Sequence, residues 1–112
     1  MKKIEAILRP ESVDFVRKAL SVTGITGLTV SEIEGHGKQK GVVQQWRGEK
    51  YKVELLPKAR IEIIVKDCDV ERISKVIIDS ARTGEIGDGK IFIYPVDEAI
   101  RIRTGEKGEA VL

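Results

Sequence analysis

A chain of 112 residues is enough for one domain, and 41% apolar residues, mostly Ile and Val, are enough for a real core; aromatics are only 4%, so that core is aliphatic. Lys and Arg number 20 against 18 Asp and Glu, and a net charge of +2 excludes any global electrostatic case for nucleic-acid binding, so an anion site must come from local arrangement. Cys68 has no partner for an internal disulfide, which fits a reducing cytosol, and neither a signal peptide nor an apolar run of membrane-spanning length is visible, so a cytoplasmic location is expected.

Ile4, Ala6 and Leu8 alternate with Lys3, Glu5 and Arg9, the pattern of a half-buried strand, which Pro10 ends. From Ser12 the period changes: Val13, Val16 and Leu20 lie at i, i+3, i+7, with Phe15 and Ala19 beside them. This predicts an amphipathic helix with Ser12 as N-cap and Gly24 as stop. Leu28-Thr29-Val30-Ser31 opens a second strand toward Gly35, and the slip of alternation at Glu32-Ile33 suggests a bulge or twist. Ile61, Ile63 and Val65 alternate with Arg60, Glu62 and Lys66 in a third strand. Asp69 can cap a second helix with Val70, Ile73, Ile77 and Ala81 on one face and a Glu71–Lys75 pair on the wet side. Ile91–Tyr94 is the fourth strand.

The order β-α-β-β-α-β is the split βαβ, or ferredoxin-like, α+β arrangement: one antiparallel sheet with two helices on one face. Parity places Ile7, Ile64 and Ile93 on the other face, which argues for self-association over a monomer with a few surface isoleucines.

Between strands two and three lie His36–Pro57, 22 residues where a hairpin needs a few. Val53, Leu55 and Leu56 can extend the strand pair at the base. The tip, around Val43–Tyr51, carries Trp46, Arg47 and Tyr51, residue types that anchor interfaces. A solvated loop with incidental aromatics is the bland alternative.

Gly84, Gly89 and Lys90 satisfy the first seven positions of a phosphate loop, G-x-x-x-x-G-K, but Ile91 stands where Ser or Thr should hold Mg²⁺ and a strand follows instead of a helix. Gly87-Asp88-Gly89 can still adopt left-handed angles and aim successive N–H groups at an anion, with Lys90 adding a point charge. Arg101 and Arg103 alternate along a segment expected to be extended, and Gly37-Lys38-Gln39-Lys40-Gly41 is a second basic turn. Each feature alone is as well read as an ordinary turn or sheet edge; together they suggest a polyphosphate pocket. His36 is the only His, and neither a Ser-His-Asp set nor a Cys/His metal pattern accompanies it, so an enzyme is not expected.

Several stretches together resemble the PII nitrogen-regulatory proteins over essentially the whole chain, 1–112. They are Lys2–Ile7, Gly27–Val30, Gly35–Gly41, Arg47–Tyr51, Leu56–Lys58, Thr83–Phe92 and Ile100–Gly105. The resemblance implies three functional parts: a partner-binding loop at 36–57, a phosphate-binding turn at 82–90 and a C-terminal segment at 101–112. It implies a homotrimer with ATP or ADP in clefts between subunits. Gly35, Gly37, Lys38, Gln39, Gly87, Asp88, Gly89, Lys90, Arg101 and Arg103 would meet the nucleotide, and Ile7, Thr29, Glu62 and Ile64 its adenosine. With ATP and Mg²⁺, 2-oxoglutarate would bind at Gln39, Lys40, Gly41, Lys58 and Gly87, with Gln39 a metal ligand. Trp46, Arg47 and Tyr51 would meet a partner, an Amt-type ammonium transporter first and glutamine synthetase as a further candidate, with membrane association only through the transporter. Tyr51 matches the position that some relatives uridylylate, which leaves modification open. Lys38 stands where many relatives have Arg, and Trp46 where Tyr is common. An adenine-nucleotide sensor without a 2-oxoglutarate response, a nucleotide-hydrolysing enzyme and an RNA-binding βαββαβ domain are the alternatives. The last expects sheet aromatics where strands one and three offer Ile7 and Ile64.

Overall fold

The computed structural model describes residues 1–25, 27–35, 42–46, 49–53 and 56–112. Four strands form one antiparallel sheet: β1 (Lys2–Leu8), β2 (Thr29–Gly35), β5 (Leu56–Val65) and β6 (Gly89–Pro95), in the order β2-β5-β1-β6. Helices α1 (Val13–Ser21) and α2 (Val70–Ala81) cover one face, and β3 (Val42–Trp46) and β4 (Glu49–Val53) pair as a separate hairpin. This is the ferredoxin-like arrangement.

The core is the aliphatic set that the alternation selects. Ile4, Ala6 and Leu8 of β1, with Ile61, Ile63 and Val65 of β5, meet Val16 and Leu20 of α1 and Ile73, Ile77 and Ala81 of α2. Phe15 departs from the expectation: it sits one residue, about 100° of helical rotation, off the Val16–Leu20 stripe and is 67% exposed.

Neither expected N-cap forms. Ser12 and Asp69 have right-handed helical angles and their side chains do not cap. Each helix is entered through a 3₁₀ turn, Pro10–Ser12 and Asp67–Asp69, so Val13 N–H already donates to the Pro10 carbonyl and Val70 N–H to that of Asp67. Asp69 instead takes Arg72 at 2.9 Å. On the wet side of α2, Lys75 pairs with Asp79 at 2.7 Å rather than with Glu71. Both partners are largely exposed, so Lys75→Ala is expected to cost no more than about 0.5 kcal/mol in urea unfolding.

The β2–β5 register runs without interruption from Thr29↔Glu62 to Gly35↔Leu56, so of the bulge or twist suggested at Glu32-Ile33 the bulge is absent. Val53 does not extend that ladder: it pairs with Val42 in the β3–β4 hairpin, while Leu56 ends the β2–β5 ladder and Leu55 lies outside the described residues. Between the two ladders the chain has six residues on one side (36–41) and two on the other (54–55).

Ile93 also changes face. It is the register partner of Ile4, and so shares the helix side; Ile7 and Ile64 keep the open face. Phe92 and Tyr94 of β6, opposite Glu5 and Lys3, join them there and are 44% and 41% exposed. Among the described residues the open face therefore carries two aromatics, both on the edge strand.

Candidate functional site

Residues 82–88 connect α2 to β6, and one carboxylate organises them. Asp88 Oδ2 accepts the backbone N–H groups of Thr83 and Gly84, each at 2.9 Å; Oδ1 accepts the Thr83 hydroxyl and, at 3.5 Å, Arg9 Nε. The Thr83 oxygen in turn accepts Glu85 N–H at 3.1 Å. The Thr83 hydroxyl, with the Thr83 and Gly84 N–H groups and Arg9, holds the Asp88 carboxyl down at about 2. With donors on both oxygens, Asp88 shapes the turn through its side chain.

Two cations then fix which way the next peptide units face. Arg9 Nη2 donates to the Ile86 carbonyl at 2.8 Å, and Lys58 Nζ to the Gly87 carbonyl at 3.4 Å. In a planar trans peptide the N–H points opposite to its C=O. The Gly87 N–H therefore faces away from Arg9 and the Asp88 N–H away from Lys58, with Ile86 and Gly87 the middle of a tight turn. Gly87 supports this with φ = 101°. An N–H group turned outward at a positive-φ glycine is the start of an anion nest.

Lys58 is buried, and burial, followed by the Arg9 charge, lowers its ammonium pKa against a raising influence from Glu11. Arg9 was not among the sequence candidates. It lies 77 to 79 residues from its partners in the turn, a separation no motif spans.

The open face extends from this turn as cross-strand rows. Lys90, Ile7, Arg60 and Ser31 form the first; Phe92, Glu5, Glu62 and Thr29 the second; Tyr94, Lys3 and Ile64 the third. Thus Ile7, Thr29, Glu62, Ile64 and Lys90 share one surface, with Thr29 directly opposite Glu62 and Lys90 opposite Ile7. Glu5 and Glu62 are also direct partners, a like-charge pair that needs neutralising. Lys3 does so at 3.8 and 3.6 Å, Arg60 reaches Glu62 at 3.0 Å, and the Lys3 ammonium stands 4.5 Å from the Tyr94 ring centroid.

Arg101 and Arg103 are not brought to this turn by any hydrogen bond or ion pair among the described residues. Nor is their segment extended: Gly105 N–H donates to the Arg101 carbonyl at 2.7 Å, Ile100 bridges to Lys107, and the Arg101 guanidinium pairs with Glu106 at 2.9 Å. Arg103 is exposed. This tail leaves the Pro95 end of β6, whereas the glycine turn enters at the Gly89 end. Gly35 closes the β2–β5 ladder, and Trp46 and Tyr51 occupy the β3–β4 hairpin. Gly37, Lys38, Gln39, Lys40, Gly41 and Arg47 lie outside the described residues.

These elements define a class, a ferredoxin-like domain with a braced glycine turn at one end of its open sheet face and a separate hairpin between β2 and β5. The family model described as "Nitrogen regulatory protein P-II" matches residues 1–106, and the chain belongs to that family. It is 57% identical over 112 residues to a nitrogen regulatory protein P-II of Nostoc punctiforme, covering 99% of this chain and 100% of the relative. It is 52% identical over 109 residues to nitrogen regulatory protein P-II 2 of Methanothermobacter thermautotrophicus, covering 97% and 95%. A nitrogen regulatory protein P-II of Azospirillum brasilense is 54% identical over 108 residues, 96% of each chain. The relatives are named as regulatory proteins, which fits a signalling role, and no helix among the described residues is long and apolar enough to cross a membrane.

Proposed function

We propose that this chain reports nitrogen and energy status by binding ATP or ADP at the glycine turn and, with Mg²⁺ and ATP, 2-oxoglutarate. The observation that carries the reading is the glycine turn whose Gly87 N–H is held away from Arg9, with Lys90 the second residue of the adjacent strand. Ile7 and Ile64 offer an apolar surface for adenine, and Thr29 and Glu62 offer polar groups beside it. The separation of Arg101 and Arg103 from the turn in one chain supports a homotrimer, in which a neighbour supplies the arginines to each cleft.

Mg²⁺ prefers oxygen ligands and keeps those of phosphates, so the Gln39 carbonyl suits it as a supplementary ligand. Lys58 is the counter-charge for a 2-oxoglutarate carboxylate. Because Lys58 also donates to the Gly87 carbonyl, a carboxylate drawing on that ammonium would act on the same turn that holds phosphate. This is a physical route for the two effectors to influence each other. The 36–57 segment, with Trp46, Arg47 and Tyr51, would carry the outcome to an Amt-type ammonium transporter, with glutamine synthetase as a further target, and the protein would act from the cytoplasm. Each effector must favour one state of that segment to shift anything.

Calorimetry of ATP with Mg²⁺, with and without 2-oxoglutarate, tests the reading. The expected result is heat from 2-oxoglutarate only when Mg²⁺ and ATP are present. ATP binding without a 2-oxoglutarate response would reduce the function to adenylate sensing and remove the effector roles of Gln39 and Lys58. No binding of either would leave the family fold without the proposed ligands.

A further inference from the structure

We infer that Arg9 is a positioning residue for the glycine turn, selecting the orientation of its peptide units without touching the ligand. The inference rests on the reading of that turn as a phosphate site. Arg9 is the first residue past β1 and its backbone is pinned: it is extended (φ −64°, ψ 139°), Pro10 follows, and its carbonyl accepts Ser12 N–H at 3.0 Å. From that fixed base the guanidinium divides between two acceptors, the Ile86 carbonyl at 2.8 Å and the Asp88 carboxylate at 3.5 Å. The planar fork of arginine can serve both at once, where an ammonium is a single point charge.

Gly87 makes this bracing necessary. A glycine with φ = 101° permits the outward N–H arrangement, but with no Cβ it permits the rotated alternative almost as readily. Without a donor on the Ile86 carbonyl, the 86–87 peptide unit at the middle of the turn loses its side-chain brace, and the Gly87 N–H need not face the anion. Lys58 braces the 87–88 unit in the same way through the Gly87 carbonyl. Arg9 and Lys58 thus stand behind successive peptide units, and the ligand would meet only the N–H side.

The test compares ATP affinity by calorimetry for the unmodified protein, Arg9→Ala, Arg9→Lys and Arg17→Ala, the last an exposed arginine paired with Asp14 on α1. Ligand-free amide spectra and thermal midpoints are recorded for each. Arg9→Ala is expected to weaken ATP binding by about tenfold, the order of a hydrogen bond to a charged group. Arg9→Lys should recover part of the loss and Arg17→Ala none of it should show. The amide signals of 86–88 should move in Arg9→Ala while the protein remains folded at the assay temperature. Affinity within about twofold of the unmodified protein, or unmoved amides at 86–88, would overturn the inference. So would a lowered thermal midpoint with affinity preserved, which is the signature of a purely structural arginine. If the unmodified protein binds no ATP, the phosphate reading fails, and the amide spectra alone decide whether Arg9 sets the turn.

Discussion

Gly89→Ala is expected to be the most damaging single-methyl change in the site, costing about 3 kcal/mol or more. Gly89 begins β6 opposite Leu8, and a Cβ there would lie 1.8 Å from the Ile7 carbonyl oxygen and 2.9 Å from its carbon. Both are backbone atoms of the central strand β1, so no side chain can swing aside. Its φ of 114° adds strain for any L-residue. The first residues of β6 would have to leave β1, taking Lys90 and the end of the turn with them. Gly84→Ala separates the two causes: Gly84 has φ = 90°, yet a Cβ there meets nothing within 4 Å. Its cost should be that of strain alone, on the order of 1 kcal/mol. Urea unfolding of both variants checks this, and equal losses would mean that the β1–β6 approach at Gly89 is looser than its geometry indicates.

The core was legible because its strands and helices each present one apolar face to one partner. Ile4, Ala6 and Leu8, or Val70, Ile73, Ile77 and Ala81, need only a period to be read. Beta-strand β6 has no such simplicity. Ile91, Phe92, Ile93 and Tyr94 are consecutive and apolar on both sides of an edge strand, so the faces are assigned only by the tertiary pairing of Ile93 with Ile4. The hairpin within 42–53 was obscured by its lysines and glutamines, although Val42-Val43, Trp46, Tyr51 and Val53 are residue types that favour strands. The glycines of the turn were visible as a motif. What braces them was not, because Arg9 comes from just past the end of β1 and Lys58 from β5, both recruited by position beside the turn. The tail shows the opposite failure: the Arg-Ile-Arg alternation suggested an extended segment, and Gly105 with the Ile100–Lys107 bridge turned it back instead.

Asp88→Asn should undo the turn electrostatically while leaving its volume unchanged. All four groups directed at the carboxylate are donors: the N–H groups of Thr83 and Gly84, the Thr83 hydroxyl and Arg9 Nε. An amide has one acceptor oxygen, so its NH₂ would face either the Thr83 and Gly84 N–H groups or Arg9 Nε, and only the Thr83 hydroxyl could turn to accept from it. At neutral pH the variant should lose more than about tenfold in ATP affinity, because charge-assisted bonds are replaced by a donor–donor contact. The pH dependence has a definite sign. The folded carboxyl is depressed to about 2, below the ordinary value of about 3.9 for an unfolded Asp. Between those values the unfolded chain binds the proton more readily, so stability rises with pH there. The contribution of Asp88 is complete above about pH 4, falls as the pH drops through about 2, and is absent below that. Asp67 is also depressed, chiefly by a hydrogen bond from the N-terminal amine, but it is present in both proteins. The difference between the unmodified and Asp88→Asn stability profiles from pH 2 to 5 therefore isolates Asp88. A difference that does not change across that range would mean that the carboxylate carries no net favourable interaction with Thr83, Gly84 and Arg9, and that the turn is held by backbone geometry and Lys58 alone.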